Sequence, residues 1–231
     1  MYVITGVSSG IGKALTNYYL EKGERVLGLS RTNEIEHDNY TFLPTDLSSL
    51  NDLKKLDLSS YIDEKEKVIL INNAGTIGRI KRARHLSLED YYLVNNLNIV
   101  AVQFLCSHLL QVTGENQLEA IVNISSGAGR RPIASWSAYC ASKAAVDSFS
   151  EVLKEEFLEE GISTKVFSVA PGIVDTQMQT EIRSSNNEDF SAHSKFVDLK
   201  KTDSLRPPEE VAIGIDKLLS EENRNVVCRL E

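Results

Sequence analysis

A chain of 231 residues, 42% hydrophobic and 25% charged, can bury a full core without disulfide or metal staples. Its formal net charge of −8, from acidic and basic residues mixed along the chain, argues against nucleic acid as the main partner, because phosphate-backbone binding draws on a basic surface. The three cysteines and four histidines form no ligand cluster, and neither a basic leader nor a run of 18 apolar residues is seen, so no metal, no membrane span and a cytoplasmic location are expected.

An apolar strand at 1–5 runs straight into Thr5-Gly6-Val7-Ser8-Ser9-Gly10-Ile11-Gly12 and then into a helix over 11–22. Gly6 can take the tight turn that leaves the strand, Gly10 lets the backbone close on a diphosphate, and Gly12 lets the helix pack on the sheet. Ser8, Ser9 and Ile11 complete the loop, and the helix N-terminus offers free N–H groups and a partial positive charge to an anion. The spacing is G-x-x-x-G-x-G rather than the dinucleotide fingerprint G-x-G-x-x-G. Plain turns also carry three glycines, but the first strand–helix junction of an alternating chain points to a dinucleotide.

A second strand at 25–29 ends in Leu29-Ser30-Arg31-Thr32. An acidic residue there would accept hydrogen bonds from an adenosine ribose. Ser30 holds that place instead, and Arg31 offers a guanidinium fork that suits a 2′-phosphate, with Thr32 beside it. NADPH/NADP+ is therefore expected over NADH. After a strand at 40–43, Asp46 and Leu47 stand where a carboxylate could hydrogen-bond the adenine amino group. A partly helical stretch at 49–61 leads to a strand at 68–72, closed by Asn72-Asn73-Ala74-Gly75. Asn73, Ala74 and Gly75 suit backbone passing close to the adenine ribose.

A helix predicted over 87–111 precedes a strand at 120–125, with Ser126 at its end. Strand C-termini form the ligand crevice of open α/β sheets, and a serine there can donate to a carbonyl oxygen that gains charge. Ser125 is the rival for that role. The helix over 138–160 carries Tyr139-Cys140-Ala141-Ser142-Lys143, whose spacing of four puts the phenol and the ammonium on one face. A phenol of ordinary pKa about 10 is a poor acid–base near neutrality, and the ammonium, helped by the positive charge of the oxidised nicotinamide, is expected to favour the phenolate by two or three units. Trp136 could wall an apolar pocket for an aromatic ketone, or be a core or subunit-contact residue. A strand at 164–169 is followed by Pro171-Gly172-Ile173-Val174-Asp175-Thr176, and the chain closes with a helix over 208–220 and a strand over 225–230. The segment 177–206 is polar and weakly periodic, and reads as a substrate lid or a disordered tail, with Met178 and Phe190 as lid candidates. Arg130-Arg131 reads as a solvated pair. Strands alternating with helices imply a doubly wound parallel α/β sheet in a single domain over 1–231.

The Thr5–Gly12 loop, Asn72–Gly75, the Ser126/Tyr139/Lys143 set and Pro171–Thr176 together resemble the short-chain dehydrogenase/reductase family. The resemblance implies a three-layer Rossmann fold whose seven-stranded parallel sheet has the order 3-2-1-4-5-6-7, and pro-S hydride transfer. Tyr139 would be the general acid in reduction and Ser126 would polarise the carbonyl. Lys143 would bind the nicotinamide ribose and lower the phenol's pKa. It also implies an asparagine that holds a water in a proton relay. Asn95, Asn96 and Asn98 compete, and the family interval to the serine selects Asn98. Pro171, Gly172, Ile173 and Thr176 would hold the nicotinamide carboxamide, through the Ile173 backbone and the Thr176 hydroxyl.

A narrower likeness to the benzil reductase and sepiapterin reductase branch lies in Ile124–Gly129, Trp136–Cys140, Val174–Gln179, Ile182-Arg183-Ser184 and Glu188-Asp189-Phe190. It implies NADPH-dependent reduction of a ketone or α-diketone, with Ser126, Trp136, Tyr139 and Met178 around the substrate. The alternatives are an NAD(P)-dependent alcohol dehydrogenase and a non-catalytic NADPH-sensing regulator. Family members commonly pair through the helices represented here by 87–111 and 138–160, so a homodimer or homotetramer is expected.

Overall fold

The computed structural model describes residues 1–114, 117–221 and 225–230. Among them the strands are β1 (Tyr2–Thr5), β2 (Val26–Ser30), β3 (Tyr40–Pro44), β4 (Val68–Asn72), β5 (Leu118–Ile124), β6 (Lys165–Ala170) and β7 (Val227–Arg229). All pair in parallel, in the order β3-β2-β1-β4-β5-β6-β7. The helices are α1 (Gly10–Glu21), α2 (Leu50–Lys55), α3 (Leu88–Asn95), α4 (Ala101–Val112), α5 (Ser137–Glu160), α6 (Gln177–Arg183), α7 (His193–Lys201) and α8 (Pro208–Ser220).

Both faces of the sheet are apolar, as parallel strands covered by helices require. Successive residues feed opposite layers. Ile4, Ile71 and Val122 join Leu15 and Tyr19 of α1 and Val211 and Ile215 of α8. Their neighbours Val3, Leu70 and Ile121 join Leu105 and Leu109 of α4 and Leu153 and Phe157 of α5. β1 pairs with β2 on one side and β4 on the other, so the chain leaves the middle of the sheet in opposite directions. That reversal opens a crevice at the strand C-termini.

Two stretches differ from the sequence reading. The helix expected over 87–111 is split by a π turn, Asn96–Val100, in which the Ala101 N–H donates to Asn96 O. By length and composition alone Leu88–Val112 could cross a membrane, contrary to the sequence reading; in the fold its Leu105, Cys106 and Leu109 pack into the core. The segment 177–206 is not featureless, because α6 and α7 lie within it. Their buried apolar residues, Ile182 and Phe196, stand among polar neighbours that mask the helical period. The segment leaves and rejoins the body at one point, where the Asp175 N–H donates to Arg206 O at 2.9 Å and the Arg206 N–H to Ile173 O at 2.9 Å.

Candidate active site

A cavity of about 830 Å³ lies along the C-terminal rim of the sheet, with α6 and α7 over one end. Every residue assigned to the site from sequence lines it except Gly12, Thr32 and Asn98.

At one end β1 turns into α1. Gly6 has φ +71°, and a Cβ there would stand 2.9 Å from Ala74 Cα, so the loops after β1 and β4 touch only because the side chain is missing. Gly12 is absent from the cavity wall because it faces inward, where a Cβ would collide with the Gly6 carbonyl. The Thr5 hydroxyl accepts from the Asn73 and Ala74 N–H groups, both at 2.9 Å. Thr5 was not singled out as a site residue, although it opens the glycine loop. Ser9 precedes α1 without a side-chain cap, and the first turn holds no acidic residue. Among the described residues no side-chain hydrogen bond caps the start of α1, and Ser9, Gly10 and Ile11 reach the cavity. This cradle fits a dinucleotide's diphosphate.

Beside it, the Ser30 hydroxyl donates to Thr32 O at 2.6 Å. Thr32 is thereby turned outward, exposed and off the wall. Arg31 lines the cavity, is exposed, and makes no ion pair among the described residues. Asp46 Oδ1 accepts from the Ser48 hydroxyl at 2.7 Å and the Ser48 N–H at 2.9 Å. Those bonds, with Arg31 adding to them against burial, hold its carboxyl below the ordinary range. One carboxylate oxygen is thus engaged within the protein.

At the opposite end, Ser126 follows β5 and caps the short turn Gly127–Gly129, its hydroxyl accepting from the Ala128 N–H at 3.1 Å. Tyr139 and Lys143 stand one turn apart on α5, 7% and 4% exposed. The two serines are separated by geometry. Ser125 is buried with its hydroxyl on Lys143 O at 3.4 Å, whereas Ser126 lies within reach of the phenol. Lys143 Nζ donates to Ile124 O at 2.7 Å and stands 5.8 Å from the Tyr139 ring centroid.

The protein's own groups hold both side chains toward their neutral forms. Burial pushes the Tyr139 phenol up to about 12, with Ser126 lowering it only in part. Burial likewise draws Lys143 down to about 8, against an upward pull from Asp147. Loss of water disfavours both charged forms, and among the protein's own contributions it is the largest.

Asn98 sits on the π turn, fully buried beneath the cavity wall. Its amide donates to Thr76 O at 2.9 Å and Ser142 Oγ at 3.0 Å, while its oxygen accepts from the Thr76 N–H at 2.9 Å. Ser142 Oγ in turn donates to Tyr139 O at 2.8 Å. Both amide protons of Asn98 are therefore occupied in bracing the loop after β4 against α5.

Trp136 meets the edge of Tyr139 at 5.8 Å, stacks on Phe190 at 5.5 Å and tilts over Phe196 at 5.3 Å. It is both a wall of the cavity and the core of the roof. Met178 lines the wall, but Phe190 is buried behind Trp136 and does not reach it; Phe196 does. Arg130 and Arg131 are both exposed, as a solvated pair would be, and they also line the cavity.

A family model described as short chain dehydrogenase matches residues 1–187. A benzil reductase ((S)-benzoin forming) of Bacillus subtilis is 37% identical, over 97% of this chain and 95% of its own. The sepiapterin reductase of Bos taurus is 31% identical, over 94% of this chain and 87% of its own. A solved short chain dehydrogenase/reductase from Saccharomyces cerevisiae superposes with a TM-score of 0.86 at 26% identity, over 100% of this chain and 95% of that one.

Proposed function

Since this chain belongs to the short chain dehydrogenase family, we propose that it reduces a ketone or α-diketone with NADPH, with Tyr139 as general acid. That it is a nicotinamide-dependent oxidoreductase follows from its membership of that family. The observation that carries the finer reading is the Ser126–Tyr139–Lys143 group, which meets on the wall of one cavity beside a diphosphate cradle.

A phenol held up to about 12 keeps its proton through the neutral range, which is the state a donor needs. Ser126 presents a second hydroxyl beside it, so a carbonyl oxygen between them would receive two donors. When bound, the reduced nicotinamide supplies a hydride to the carbonyl carbon. As negative charge grows on the oxygen, Tyr139 gives up its proton, and the Lys143 ammonium stabilises the phenolate left behind. Asn98 and Ser142 hold the Tyr139 turn of α5 in place through backbone contacts, and Trp136 closes the pocket to water on one side.

The NADPH preference is supported by Arg31, an exposed guanidinium that makes no ion pair within 4 Å among the described residues, at a strand end that lacks an acidic residue. The aromatic wall of Trp136 and Phe196 suits an aryl carbonyl, and the Bacillus subtilis relative is named for reduction of benzil, an aryl diketone.

The test is NADPH consumption with a panel of diketones, quinones and pterin ketones. Turnover of at least one, lost in Tyr139→Phe while NADPH still binds, is the expected result. NADPH binding with no carbonyl compound reduced would instead favour a cofactor sensor.

A further inference from the structure

Tyr139, Lys143 and Asp147 lie four residues apart, so they follow one another along a single face of α5. All three are more than nine-tenths buried. A carboxylate in that position needs a reason, because burial of a charge is costly unless it is paired. One oxygen is accounted for: Ser168, on β6, donates to Asp147 Oδ1 at 2.6 Å. Among the described residues, Asp147 Oδ2 accepts no hydrogen bond and is faced loosely by Arg130 Nε at 3.5 Å.

We propose that Asp147 is a positioning residue whose buried carboxylate is the counter-charge that lets Lys143 remain an ammonium beside Tyr139. The inference rests on the reading of Lys143 as part of the working site. Among the described residues, the titratable or charged groups around Lys143 on its own helix are Tyr139, Cys140 and Asp147, of which Asp147 is the carboxylate. Arg130, from the loop after β5, faces Asp147 on the far side. The other elements turn neutral groups toward it: Ile124 O from β5, Gly75 after β4, and the Gly129 turn. Asp147 is thus the anion that opposes the desolvation of Lys143. Ser168 fixes the carboxylate to the sheet and Arg130 faces its other oxygen at 3.5 Å, so the carboxylate acts on Lys143 through space, one helical turn away, without an ion pair within 4 Å.

A merely structural Asp147, pinning α5 to β6 through Ser168, would act without charge. Asp147→Asn keeps the shape and an acceptor for Ser168 but removes the charge. The measurement is an NMR titration of the Lys143 side chain in the full-length, cofactor-free protein with isotope-labelled lysine, its signal assigned by loss in Lys143→Met. The midpoint in Asp147→Asn is expected to fall by about one pH unit or more. Asp147→Glu should restore most of it, and Ser168→Ala should leave it nearly unchanged. The alkaline limb of kcat for NADPH-dependent reduction should move to lower pH in Asp147→Asn alone. An unchanged Lys143 midpoint in a folded Asp147→Asn overturns the proposal, as does an equal shift in Ser168→Ala. Should Asp147→Asn fail to fold, Arg130→Met is the second test: freeing the carboxylate should raise the Lys143 midpoint, and no rise refutes the counter-charge. Because the titration needs no turnover, it stands apart from the catalytic reading, which fails instead if Tyr139→Phe and Lys143→Met both keep full activity.

Discussion

Trp136 and Phe190 stack with centroids 5.5 Å apart and planes 22° apart, joining the residue ahead of α5 to the segment between α6 and α7. Phe190 is 1% exposed and touches no part of the cavity, so it acts on substrate only by holding Trp136 upright. Phe190→Ala should cost about 3 kcal/mol of stability from the void it leaves. It should raise KM for aryl carbonyls severalfold while NADPH binding stays the same. Denaturant unfolding and steady-state kinetics check both; an unchanged KM in a destabilised protein would mean that the roof does not shape the pocket.

The two adjacent serines should separate cleanly. Ser126→Ala removes the hydroxyl within reach of Tyr139 and should lower kcat by about 10²-fold, the scale of losing one donor to a developing oxyanion. Ser125→Ala removes a long bond to Lys143 O and should leave kcat within a few-fold. Equal losses in the two variants would assign the donor wrongly.

Lys143 titrates near 8 in the fold against 10.5 in an open chain. Between those values the unfolded chain binds the extra proton, so this group makes stability rise with pH across that window, and its cost is largest below 8. Lys143→Met should therefore be inactive yet more stable than wild type at pH 7, by about 1–3 kcal/mol. The difference should shrink by pH 10, where most of the Lys143 window has been crossed. Urea unfolding at the two pH values tests this, and a difference constant with pH would contradict it.

Arg31→Asp places a carboxylate where the adenosine ribose is expected and removes the free guanidinium. The ratio of kcat/KM for NADPH over NADH should fall by at least 10²-fold, mostly through KM for NADPH. A ratio unmoved by the substitution would take the 2′-phosphate away from Arg31.

Much of this fold is written locally. Runs such as Val68–Asn72, apolar on both faces, announce covered parallel strands, and Gly6 and Gly12 mark the place where two loops and a helix must touch. The Tyr139–Lys143 pair is equally local, since helical spacing alone brings it together. What escaped depends on distance in the chain. Asn98 turns inward because Thr76, 22 residues away, receives both sides of its amide. Asp147 carries no motif, and its partner Ser168 lies 21 residues away on β6. The direction of the Tyr139 and Lys143 shifts also lies outside any spacing rule, because it depends on how much water the assembled pocket excludes. α6 and α7 were hidden for a simpler reason: each buries only a few apolar residues, so most of their surface reads as loop.

The hydrogen bonds between Asp175, Arg206 and Ile173 close the neck of the 177–206 excursion. Since the ends already meet, changing what hangs between them asks little of the sheet, and loop-closure cost grows only slowly with length. Ser126, Tyr139, Lys143 and the glycine cradle all stand outside that neck. A graft of this excursion from one relative to another should therefore carry substrate taste with it and leave the chemistry behind, so that new selectivities can evolve by exchange of a roof over an inherited floor.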